Sequence, residues 1–212
     1  MDLVLAYHVI ITCYGFWLPN DTRGSWSDFV GAWELVRFGR ATKVDTHHSV
    51  AHVPHDRELR RAAKRAPKYP AVRFTGRQAL SVVKGFATAI REGGYVLHAC
   101  SILPDHVHFA LARHQRIAET VTAHLKAQAT RQLRADGLHP FERFARPDGS
   151  VPSVWAESLW KVFLFDAEDI RRASVDPQQL NLLDSYAVSK RDAEDAARAS
   201  GLDAVRVEYF LK

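Results

Sequence analysis

The hydrophobic period of this chain changes twice between Thr75 and Gly137, and that change limits the folds open to it. Leu80, Val83, Ala87 and Ile90 recur at helical spacing. Thr75 opens that segment with Gln78 three residues on, the pattern of a capping box, and Gly93-Gly94 closes it. Tyr95–Leu103 and His106–Leu111 then read as two strands joined by a Pro104-Asp105 turn. From Ile117 the helical spacing returns through Val121, Leu125, Ala129 and Leu133, until Gly137 stops it. A helix, a hairpin and a helix in succession, preceded by the strand-like Ala6–Thr12, imply an α+β sandwich with helices packed on an antiparallel sheet.

The remaining segments are less regular. Tyr14 to His55 is a long loop-like insertion after the first strand, carrying Trp17-Leu18-Pro19-Asn20-Asp21 and Arg23-Gly24-Ser25-Trp26. Insertions of that length inside one domain usually serve function or move. Asp56 to Lys64 reads as a short basic helix closed off by Pro67 and Pro70, and Ala71–Phe74 as a short strand or extended entry. Trp155–Phe165 precedes a helical Ala167–Ala173. Pro177–Ser200 looks helical and polar, and Val205–Phe210 alternates like a strand.

Composition narrows the class. A chain with 47% hydrophobic and 25% charged residues fits a water-soluble globular protein. No uncharged run is long enough to cross a bilayer. Met1-Asp2-Leu3-Val4 lacks the basic start of a secretory signal, so the expected location is the cytoplasm. Cys13 and Cys100 make neither a disulfide framework nor a zinc spacing and read as small buried residues.

The net charge of +5 is unevenly spread. Arg57, Arg60, Arg61, Lys64, Arg65, Lys68, Arg73 and Arg77 crowd one stretch, opposed there by Glu58 alone. A polyanion is one partner such clustering would suit; a solvated helix face is the other reading. Trp17 and Trp26 are candidates for stacking on bases, against the commoner role of core aromatics.

His106-Val107-His108-Phe109-Ala110-Leu111 carries the most chemical information. Side chains alternate along a strand, so Val107, Phe109 and Leu111 share an apolar face and His106, His108 and Ala110 the other. Two imidazoles at i and i+2 lie roughly 6–7 Å apart at the backbone and can converge on one cation. Neutral imidazole is a common metal ligand, although a pair of half-exposed strand histidines accounts for the pattern equally simply. His47, His48, His52 and His55 in the insertion show no comparable facing and read as surface residues.

Leu103-Pro104-Asp105-His106-Val107-His108, on the second strand of a hairpin, resembles the HUH motif of the single-tyrosine transposases, in particular the REP-associated tyrosine transposases and related insertion-sequence enzymes. Tyr7-His8-Val9-Ile10-Ile11-Thr12 is similar to the family's first strand, Leu125-Lys126 to its Leu-Lys helix, and Trp160-Lys161-Val162-Phe163-Leu164 to the aromatic segment before its catalytic helix. Gly15–Gly24 resembles an insertion found in one branch. The likeness runs from about residue 3 to 173, which divides the chain into an HUH transposase-like domain, 1–173, and a divergent helical tail, 174–212. It implies a ferredoxin-like fold of HUH-endonuclease type. It also implies that His106 and His108 hold Mg²⁺ or Mn²⁺ against the scissile phosphate of single-stranded or hairpin DNA, with a tyrosine attacking to form a 5′-phosphotyrosine. Hard cations prefer oxygen, so two imidazoles leave the shell incomplete; the family completes it from the tyrosine helix, water and phosphate. Lys126, Arg131 and Arg134 on the helix after the hairpin, with Arg57, Arg60, Arg61 and Lys64, become expected DNA contacts, and no membrane partner is expected. Relatives occur as monomers and dimers, so a homodimer stays open.

The resemblance fails at the nucleophile. After Glu168–Ala173 the family carries a tyrosine, whereas this chain reads Ser174-Val175-Asp176-Pro177. Tyr186, on an expected helix, is the candidate replacement. Two alternatives stand beside it: a catalytically inactive DNA-binding regulator, or a tail from 174 to 212 unrelated to the family by a shifted frame or rearrangement. An unrelated metal-dependent hydrolase using His106, His108 and a carboxylate such as Asp105 is a further reading.

Overall fold

The computed structural model describes residues 3–19, 30, 32–39 and 56–174. Four strands, β1 (Ala6–Cys13), β2 (Leu97–Ile102), β3 (His106–Ala112) and β4 (Trp155–Leu164), form a sheet in the order β2-β3-β1-β4, with every neighbour antiparallel. Helices α2 (Gly76–Gly93) and α3 (Ala118–Ala135) connect β1 to β2 and β3 to β4. This β-α-β-β-α-β succession with that strand order is the ferredoxin-like arrangement, so the expected fold class holds. Among the described residues, two further helices, α1 (Arg57–Arg65) before α2 and α4 (Ala167–Ser174) after β4, complete the regular structure with 3-10 turns at Trp33–Phe38 and Glu142–Phe144.

The alternation of β1 and β3 decides which face is dry. Val9, Ile11 and Cys13 of β1 and Val107, Phe109 and Leu111 of β3 join one buried cluster with Val82 and Phe86 of α2 and Val121, Leu125, Ala129 and Leu133 of α3. His106, His108, His8 and Ile10 take the opposite face by the same period. The two helices meet closely where Gly85 faces Ala129: a Cβ at Gly85 would stand 2.4 Å from the Ala129 Cα. Both end on a left-handed glycine, Gly94 at φ 65° and Gly137 at φ 66°. Leu138 N–H donating to Leu133 O and Gly137 N–H to Arg134 O satisfy the last carbonyls of α3.

The expected capping box is present: Gln78 N–H donates to Thr75 Oγ1 at 3.4 Å and Thr75 N–H to Gln78 Oε1 at 2.9 Å. The buried line of α2 differs from the one expected. Ala79, Val82, Phe86 and Ala89 enter the core and the expected Ala87 is buried, whereas Leu80, Val83 and Ile90 are only half-buried flanks. This helix has two adjacent apolar stripes, and the larger Phe86 decides between them by filling the space under Phe109 and Trp155. Ile117, expected in the α3 stripe, is instead the exposed residue that precedes the helix. Ala71–Phe74 is extended but forms no strand; Val72 N–H donates to Tyr14 O and Phe74 N–H to Pro104 O.

The described part of the insertion contains the Trp33–Phe38 turn, where the sequence pattern suggests only loop. Leu35 and Phe38 pack with Ala63 of α1 in a second, smaller apolar cluster. The helical tail and final strand expected between 177 and 210 lie outside the described residues, as do His47, His48, His52, His55 and Trp26. Cys13 and Cys100 are buried and free, and burial holds both thiols well above their ordinary titration range.

Candidate metal centre

The β2–β3 turn aims the two histidines. Leu103 N–H donates to His106 O across Pro104-Asp105, and Cys13 N–H donates to Asp105 O at 2.9 Å, which ties the turn to the end of β1. His106 and His108 then project side by side from the face opposite α2 and α3, their ring centroids 4.7 Å apart. The Asp105 carboxylate Oδ1 accepts from His106 Nδ1 at 2.6 Å, and both side chains keep about a fifth of their surface exposed, 21% for His106 and 19% for Asp105. A carboxylate on Nδ1 puts the proton there and leaves the Nε2 lone pair as the donor, the usual support for a metal-binding histidine.

His108 is deeper. Burial, then the neighbouring His106 and His8, pull it down to about 2, so it is neutral at any ordinary pH. A neutral ring is the form that binds a cation. Its Nδ1 lies 3.2 Å from His8 Nε2 on β1. In the sequence, His8 stands only as part of a strand, with no assigned role. The link runs diagonally across the β1–β3 register, where His8 opposes Ala110 and Ile10 opposes His108, and only the pairing reveals it.

The donor chemistry suits a divalent cation in part: the two supported imidazoles would supply two ligands. Among the described residues, no group of three or more His, Cys, Asp or Glu side chains is arranged to hold a metal ion. Asp105 is committed to His106 and His8 to His108, so neither adds a third ligand in this arrangement.

The expected DNA contacts divide into two sets. Arg57, Arg61 and Lys64 are exposed on α1, Arg61 pairing with Glu58 at 3.4 Å, and Arg60 is partly buried beside them. Arg131 is exposed on α3, and Arg134 pairs with Glu142 at 3.2 Å. Lys126 has a different task. Its Nζ donates to the carbonyls of Ala156, Glu157 and Ser158 at 2.8, 3.3 and 3.4 Å. The β1–β4 register slips there, with Cys13 facing Trp155 but Ile11 facing Leu159, which throws those carbonyls out of the ladder. The lysine caps the bulge, and Trp155 Nε1–H returns a bond to Lys126 O at 3.2 Å. Burial lowers Lys126 to about 8.

Tyr186 lies outside the described residues. The tyrosines that are described have other engagements. Tyr7 shares the helix-side face with Phe163, Tyr14 OH accepts from Tyr69 N–H, Tyr69 packs on Phe141 and Phe144, and Tyr95 OH bonds His124 and Arg116. Trp17 is partly buried at a left-handed φ of 57°. No described helix is long and apolar enough to cross a membrane.

No protein-family description matches the sequence, and no curated protein does. A solved structure described as a putative transposase from Deinococcus radiodurans R1 aligns with a TM-score of 0.36 and 14% identity, over 89% of this chain and 95% of that one.

Proposed function

We propose that the chain is a transposase-family protein that binds single-stranded, hairpin-forming DNA through a divalent cation, Mg²⁺ or Mn²⁺, held by His106 and His108. The observation that carries this reading is the pair of adjacent imidazoles whose Nδ1 atoms are both engaged, one by Asp105 and one by His8, on the sheet face away from α2 and α3. When bound, the cation supplies Lewis acidity toward a phosphate oxygen. The protein's part is to present the two rings to the cation and to hold the polyanion with Arg57, Arg60, Arg61 and Lys64 of α1 and Arg131 and Arg134 of α3. Lys126 leaves that set, because its ammonium is already occupied.

Cleavage and rejoining through a phosphotyrosine require a nucleophile, for which Tyr186 is the candidate. The second reading is a regulator that binds the same DNA without cutting it; the described tyrosines are engaged elsewhere, and Tyr186 lies outside the described residues.

Hairpin-tipped oligonucleotides with single-stranded flanks test both. With Mn²⁺ present, binding is expected, and any nicking should disappear in the His106→Ala/His108→Ala double variant. A covalent protein–DNA adduct on a denaturing gel should be lost in Tyr186→Phe. Binding without an adduct under any divalent ion identifies the regulator. Nicking that survives loss of both histidines rejects the metal reading, and activity on small phosphoesters with indifference to DNA would point to a hydrolase instead.

A further inference from the structure

Resting on that metal reading, we infer that His8 is a positioning residue: it accepts the Nδ1–H of His108 and so fixes the tautomer in which His108 Nε2 is a bare, cation-facing donor. His8 would do for His108 what Asp105 does for His106.

The geometry supports this at three points. First, the contact is between the correct atoms, His8 Nε2 and His108 Nδ1, at 3.2 Å. An imidazole ligates through one nitrogen only if the other carries the proton, and that proton needs an acceptor. The reverse direction, His8 donating, would place the His108 proton on Nε2 and block it. Second, the His8 ring is held. It opposes Ala110, whose short side chain leaves room for the ring to lean toward His108, and the Trp160 indole meets it edge-on at 5.6 Å and 82°. The His8 and His108 rings sit 5.4 Å apart at 32°. Third, the same face of β1 otherwise carries Ala6, Ile10 and the buried Thr12, so His8 is the one side chain of that face of β1 with a ring nitrogen to offer His108. Space-filling would be served as well by phenylalanine.

The test compares His8→Phe, which keeps a ring against Trp160 and removes the acceptor, with His8→Gln, whose amide oxygen can stand near the Nε2 position. Two readouts are taken on the whole protein. Long-range ¹H–¹⁵N spectra of the metal-free protein report the His108 tautomer. Titration with Mn²⁺ alone reports affinity. The expected result is an Nδ1–H His108 in the wild type, a shift toward Nε2–H in His8→Phe, and a loss of Mn²⁺ affinity of about 10–100-fold in that variant, as for other outer-shell partners. His8→Gln should stay within a few-fold of wild type in affinity and keep the Nδ1–H form. Should His8→Phe fail to fold, the wild-type tautomer and the Gln variant still decide. An Nε2–H His108 in the wild type, or wild-type Mn²⁺ affinity in a folded His8→Phe, overturns the inference while leaving His106 and His108 as ligands. Failure of the underlying reading looks different: Mn²⁺ binding that is absent, or that His106→Ala/His108→Ala does not reduce, removes the site and the role of His8 with it.

Discussion

Replacing Lys126 by methionine separates a structural lysine from a DNA contact. The substitution keeps most of the stem and removes the ammonium that serves the carbonyls of Ala156, Glu157 and Ser158. Two contributions oppose each other. Hydrogen bonds from a charged donor are worth about 1.5–3 kcal/mol each, although water can reach the exposed Glu157 and Ser158. Against them stands the cost of burying the charge. A lysine lowered from 10.5 to about 8 carries a penalty of about 3 kcal/mol at neutral pH, from 1.36 kcal/mol per pH unit. The net loss on Lys126→Met at pH 7 should be about 1–3 kcal/mol in urea unfolding. The sign of the pH dependence is sharper. Between pH 8 and 10.5 the unfolded chain holds the lysine proton and the native protein has released it, so raising the pH stabilises the native state. The wild type should therefore gain up to about 3 kcal/mol over Lys126→Met across that range. A gap that stays flat or narrows as pH rises refutes the assignment, as does a variant of unchanged stability whose affinity for DNA has fallen.

Two other substitutions probe separate parts of the account. Gly85→Ala forces a methyl against the Ala129 backbone and should cost about 1–3 kcal/mol in the same assay, since the two helices must separate to admit it. Neutralising Arg57, Arg60, Arg61 and Lys64 together should leave the unfolding midpoint nearly unchanged. It should reduce the salt dependence of single-strand binding by up to about 0.7 in log–log slope for each phosphate no longer neutralised, and an unaltered slope would remove α1 from the DNA surface.

The parts of the molecule that sequence reveals are those set by local periodicity. The capping box at Thr75, the Gly94 and Gly137 stops, the turn at Pro104-Asp105 and the facing of His106 and His108 depend on residues at most a few positions apart, and the structure bears them out. The parts that stay hidden arise from pairing between distant segments. Which stripe of α2 is buried depends on the size of Phe86 against Phe109 and Trp155. The work of Lys126 follows from a register slip between β1 and β4, and that of His8 from a diagonal neighbour a hundred positions away. In the sequence each shows only as a polar residue beside apolar ones, a lysine after Leu125 and a histidine in a β-branched strand, and such residues mark places to look for a partner.

Crystals of the protein soaked in Mn²⁺ and measured for anomalous scattering test the metal assignment most directly. The expected result is a peak within bonding distance of both His106 Nε2 and His108 Nε2, with Asp105 and His8 still on the opposite nitrogens. A peak elsewhere, or none between those two rings while Mn²⁺ occupies other sites, would contradict it.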